Sequence, residues 1–158
     1  TGASQRLPVL PCLISAVWLR LRILAAESGS WQAMEKLAHS YEEGRFGAPV
    51  DHEKAYEWAF EAETMLRVYW IFYNQPNFVD FKETYKMLLK AHVRLSCLLA
   101  HYCADGIGVT RDLHAAMRWL TVGEEFACSV TGLKQIPVYQ HQKQELERRM
   151  KKDEKRKK

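Results

Sequence analysis

The sequence predicts an all-α protein: a short right-handed solenoid of antiparallel helical hairpins, with an aromatic insertion between two units. Three observations carry that prediction. The chain matches itself without gaps at an offset of 61 residues, pairing Leu37 with Leu98, Tyr41 with Tyr102, Gly47 with Gly108, Asp51 with Asp112, Ala55 with Ala116 and Trp58 with Trp119. The matched residues fall at helical spacings on either side of a glycine, which is the pattern of a helical hairpin. Between the two copies, seven of the 18 aromatic residues crowd into positions 69–85. A chain of 158 residues with 47% apolar and 27% charged residues has ordinary globular composition, enough for one domain or a short array of stacked units.

Each element follows from local pattern, and helices are predicted near 13–28, 31–44, 52–73, 79–104, 113–127 and 138–155. The apolar run from Leu13 to Ala26 carries Arg20 and Arg22, which excludes a membrane span and argues against a signal-peptide core. In each copy Leu and Tyr, four apart, share one face of a first helix, while Ala and Trp, three apart, share one face of a second. Gly47 and Gly108 suit a left-handed turn between the helices. Asp51 and Asp112, four residues later, are placed as N-caps that accept orphan amide hydrogen bonds. Ala55 and Ala116 allow close helix approach, and Trp58 and Trp119 fill the groove beside them. Asn74-Gln75-Pro76-Asn77 reads as a turn, so the segments around it extend the second helix of one unit and the first helix of the next into a longer hairpin. The last helix caps the array.

The stretch "AAESGSWQAMEKLAHSYEEGRFGAPVDHEKAYEWAFEAE", residues 25–63, and "GIGVTRDLHAAMRWL", residues 106–120, resemble the Sel-like (Sel-one-like) repeats, relatives of the tetratricopeptide repeats. The matching positions in the first unit include Leu37, Tyr41, Gly44, Asp51, Lys54, Ala55 and Trp58. The resemblance implies units about 31–65 and 91–127, a degenerate unit about 13–30 with Leu21 at the Trp position, and an insertion about 66–90. With a capping segment after 128, these make one repeat domain over 1–142, followed by a basic helical tail over 143–158. It further implies that the first helices form a concave face suited to peptides or domains, which makes Glu35, His39, Glu42, Glu43, Arg45, Arg94 and His101 contact candidates.

Charge and reactive residues narrow the function. Residues 143–158 hold nine basic and four acidic residues, a local +5 that leaves −1 of the net +4 for the rest, the pattern of a solvated, fraying terminus. The four cysteines form no CxxC pair, and Cys97 and Cys103 lie on different sides of one helix. Free buried thiols are expected, with a Cys103–Cys128 bridge as the alternative. The histidines lack HExxH spacing, the adjacent Glu pairs diverge on their helices, and Gly106-Ile107-Gly108 lacks the context of a phosphate loop. No catalytic residue, metal ligand or cofactor is assigned. The chain opens at Thr1, which reads as loss of an N-terminal segment from a soluble protein of the cytoplasm or periplasm.

What remains is recognition. Tyr69, Trp70, Tyr73, Phe78, Phe81 and Tyr85 of the insertion either close the core of the longer hairpin or project as a patch for a protein partner. Together with Glu42, Arg45 and His101 they are the candidate binding residues of a non-catalytic adaptor, assembly factor or inhibitor. A toxin-neutralising immunity protein is the specific form. Two rivals stand beside it: a basic tail that docks nucleic acid or an anionic membrane, and a homodimer formed through the insertion.

Overall fold

The computed structural model describes residues 9–73 and 82–156, with side chains at 13–72 and 83–156. Among these residues the chain is an all-α solenoid of six helices: α1 (Val9–Glu27), α2 (Trp31–Glu43), α3 (His52–Tyr73), α4 (Lys82–Asp105), α5 (Leu113–Thr131) and α6 (Pro137–Arg156). α2 packs on α3, α4 on α5, and the two hairpins meet through α3 and α4. α1 lies against α2 at one end, and α6 against α5 and α4 at the other.

The motif residues build the hairpins. Leu37, Ala55, Ala116 and Tyr102 are fully buried, and Tyr41 nearly so, whereas Leu98, Trp58 and Trp119 sit half-buried at the core margin. Asp112 accepts hydrogen bonds from the amides of His114 and Ala115 at 2.8 and 2.9 Å, and Asp51 accepts one from Lys54 at 3.1 Å. Each bond satisfies an N–H that the first helical turn leaves without a partner, so both carboxyls lie below their ordinary pKa. Ser30 does the same for α2, accepting from Ala33.

Gly47 and Gly108 both adopt positive φ, at 84° and 68°. They have a second task that the sequence did not reveal. A Cβ on Gly47 would fall 2.7 Å from the Ser15 carbonyl oxygen of α1, and one on Gly108 would clash with the His52 carbonyl at the start of α3. Each motif glycine therefore seats its hairpin loop on the second helix of the unit before it. The relation is the same at both joints, so α1 stands to the first hairpin as α3 stands to the second.

The final helix crosses residue 142 without a break, as the predicted span 138–155 requires, but from residue 143 onward it is fastened to α4, α5 and the second unit's loop rather than fraying. Leu146 is buried, Lys143 pairs with buried Glu124 at 2.8 Å, and Arg149 reaches Asp105 at 2.6 Å. Arg111 of the second unit's loop pairs with Asp153 at 2.7 Å. Earlier in α6, fully buried Tyr139 shares a 2.6 Å hydrogen bond with Ser96. Gly123 permits this approach, because a Cβ there would lie 2.7 Å from the Ser96 hydroxyl.

Candidate functional site

The helical extension carries the sequence-predicted aromatic residues, and the structure divides them. Trp70 turns inward, its ring 4.7 Å from that of Tyr85 and 4.9 Å from that of Phe126 on α5. Tyr85 also donates its hydroxyl to the Val130 carbonyl at 3.1 Å. These two residues brace the long hairpin against α5, and Tyr69 beside them is half-buried. The Tyr73 side chain, Phe78 and Phe81 lie outside the described residues. The exposed surface belongs to residues that the candidate list omitted: Val68, Ile71 and Phe72, at 48%, 65% and 67% exposure. Their i, i+3, i+4 spacing puts them on one face of α3. That spacing is visible in the sequence, where Phe72 is one of the seven aromatics of 69–85 while Val68 and Ile71 carry no aromatic signal.

The first helices form a second surface. Glu35, Lys36, His39, Val93, Arg94 and Val138 help line a groove of about 490 Å³ between α2, α4 and α6. Glu35 and Arg94 join its walls through two hydrogen bonds of 2.9 and 3.0 Å, a bidentate pair that raises the guanidinium pKa. The other concave-face candidates scatter. Glu42 is held by the Tyr102 hydroxyl at 2.8 Å and by His39 at 3.5 Å, so it ties the two units together. Exposed Arg45 pairs with Glu43 inside its own loop. His101 pairs with Asp105 and lines a smaller groove of about 290 Å³ against α6. A further groove of about 730 Å³ runs between α3 and α5, where Tyr56, Cys103 and Trp119 meet Arg67, Arg111 and Arg118.

Two capped hairpins, each seated by its motif glycine on a backbone carbonyl of the preceding helix, define a repeat. The Sel1 repeat family matches residues 31–63 and 89–121, leaving the extension unmatched between them. The chain carries two Sel1-like repeats. It is also similar to the crystal structure of a Sel1 repeat protein from Oxalobacter formigenes, at 20% identity over 80% of this chain and 61% of that one, with a TM-score of 0.30. This chain thus spans less than two thirds of that protein. No curated protein matches at a significant level. Sel1 repeats generally mediate protein–protein interaction and are typically non-catalytic.

The reactive side chains of this Sel1-like protein are arranged for structure. Burial pushes the Cys97 thiol up to about 11 and also raises Cys103, so neither forms a thiolate nucleophile readily near neutral pH. Cys97, Cys103 and Cys128 are free thiols. Beneath the extension, Glu63 and His92 are each about 3% exposed, with His92 Nδ1 3.5 Å from the carboxylate and Arg67 2.6 Å from it. Burial lowers His92 to about 4, with Arg67 adding to the shift. Burial raises Glu63 while Arg67 opposes it. His92 is therefore a neutral core imidazole packed at a tilt against the Phe126 ring, with centroids 4.2 Å apart. Among the described residues no cluster of three or more His, Cys, Asp and Glu can hold a metal ion, and no helix is long and apolar enough to cross a membrane.

Proposed function

We propose that this chain is a non-catalytic recognition module, an adaptor, assembly factor or inhibitor, that holds a protein partner on the exposed face of its α3 extension. One observation supports the reading above the rest: Val68, Ile71 and Phe72 stand exposed on a helix stiffened from behind by Trp70, Tyr85 and Phe126. Apolar anchors on a rigid element lose little conformational entropy on binding, so most of their buried area becomes affinity.

Affinity capture from cells that produce the protein, followed by mass spectrometry and titration of the captured partner, tests the reading. Val68→Ser combined with Phe72→Ser is expected to weaken the complex at least ~100-fold while melting temperature holds. Removal of residues 147–158 is expected to leave affinity unchanged. Full affinity in the double variant sinks the proposal. Capture that is salt-sensitive and disappears with the C-terminal residues moves the contact to the basic face of α6.

A further inference from the structure

The N-terminal helix presents the opposite of a solvated face. The inner side of α1 packs Leu19, Ile23 and Ala26 into the core, and Arg22 reaches back to the Ser40 hydroxyl and over the Phe46 ring. Its outer side carries Leu13, Ile14, Val17, Trp18, Leu21 and Leu24, each between 52% and 57% exposed. A helix that is apolar all round is normally buried all round. Six large side chains so exposed leave on the order of 600 Å² of apolar surface, the top of the range for a monomer.

We propose that this face is a homodimer interface, in which α1 packs antiparallel against α1 of a second copy about a two-fold axis near Trp18. Three observations select that occupant. Joining two such faces removes roughly 1,200 Å² from water, which reaches the range of stable interfaces. The stripe is also matched at its two ends: an axis midway between Trp18 and Leu19 sets Leu13 of one copy opposite Leu24 of the other. Finally, the antiparallel arrangement opposes the two helix dipoles and sets Arg20 beside Val17 of the second copy rather than beside its own equivalent. This surface is separate from the partner face on α3, and each can fail without the other.

Sedimentation of the full chain from about 1 to 200 µM reads the association directly. The expected result is a mass rising from 18.4 kDa towards twice that value. Val17→Lys with Leu21→Lys is expected to raise the dissociation constant at least ~100-fold at unchanged helicity, because two cations enter the centre of the apolar face. Cross-linking in the otherwise native chain provides the second measurement. Trp18→Cys is expected to form a disulfide-linked dimer on mild oxidation. Leu13→Cys is not, because antiparallel packing separates the two copies of residue 13 by about 16 Å along the axis. A constant 18.4 kDa mass overturns the proposal. So does a dimer that resists the α1 substitutions, or one that cross-links through Leu13→Cys.

Discussion

The two end helices of the array meet solvent in opposite ways. α6 keeps most of its large apolar side chains inward: Tyr139 is fully buried and Leu146 nearly so, with Val138 exposed at its first turn, and the exposed positions after it are polar or charged, Lys151, Lys152, Lys155 and Arg156 among them. Around that core, Lys143 and Arg149 tie it to Glu124 and Asp105. α1 buries one apolar side and exposes another, with every large residue from Leu13 to Leu24 on its outer face more than half uncovered. A stacked repeat cannot bury its own core alone, and a soluble end requires a polar outer face. α6 is built as such an end. α1 is built as an interior helix, although within this chain only its inner side is covered.

The largest test of that contrast cuts α6 away from the core. Tyr139→Ala removes a fully buried aromatic side chain and the hydroxyl that partners Ser96, and is expected to cost about 3–5 kcal/mol in denaturant unfolding. Beneath Tyr139 lies Gly123, whose missing Cβ brings α4, α5 and α6 together, so the cavity cannot close without moving a helix. A loss below ~1 kcal/mol would show that α6 is an appendage after all.

Next comes the interior against which both ends are judged. His92 is held neutral at the α3–α4–α5 junction, facing Glu63 and Arg67, with its folded pKa lowered from 6.5 to about 4. A lowered folded value means the unfolded chain binds the extra proton first. Stability from this group is therefore complete above pH 6.5 and lost as pH falls towards 4, on the order of 3 kcal/mol in all. Glu63, with its folded pKa raised, acts in the opposite sense and returns part of that loss as it protonates. His92→Phe is expected to flatten the stability profile between pH 6.5 and 4, measured by urea unfolding at several pH values. An unchanged slope would place the pH dependence elsewhere.

Much of this architecture was legible in the sequence, for a reason that also marks its boundary. Helical spacing and a glycine flanked by Tyr and Asp report local backbone geometry. The hairpins, the two Asp caps and the longer α3–α4 pair were accordingly readable from Tyr41, Gly47, Asp51 and their counterparts 61 residues on. Contacts between units were not. Nothing in a period shows that Gly108 touches the His52 carbonyl, or that Tyr139 meets Ser96 across 43 positions. The binding surface was legible only in part. Where a helix is apolar on two sides, as α1 and the end of α3 are, the pattern does not say which side is covered. The pattern therefore leaves Trp70 open between the core and a partner patch, and it packs inward; nor does the pattern mark Val68, Ile71 or the outer face of α1 as uncovered. Charge misled at the C-terminus because composition counts Lys143 and Arg149 without seeing Glu124 and Asp105.

A smaller effect belongs to the polar fastening of α6. Arg149 donates to the Ala104 carbonyl at 2.9 Å and the Asp105 carboxylate at 2.6 Å, a cation placed at the C-terminal end of α4 where carbonyls lack helical partners. Its side chain is about one-third exposed, so water and salt screen the pair. Arg149→Ala is expected to cost about 1 kcal/mol, with a smaller penalty at high salt.

The smallest expected change is the most diagnostic for α1. Leu24→Gln replaces a large apolar residue with a polar one of similar length, at a position 54% exposed. Within one chain almost nothing packed is lost, so unfolding at low protein concentration should change by less than ~0.5 kcal/mol. An inward-facing leucine such as Leu37, fully buried, would not tolerate the same exchange. If Leu24→Gln destabilises the dilute monomer by more than ~1.5 kcal/mol, the outer face of α1 is already covered within the chain, and the contrast between the two ends disappears. If stability holds while self-association weakens, the apolar face is spent on a second molecule rather than on folding the first.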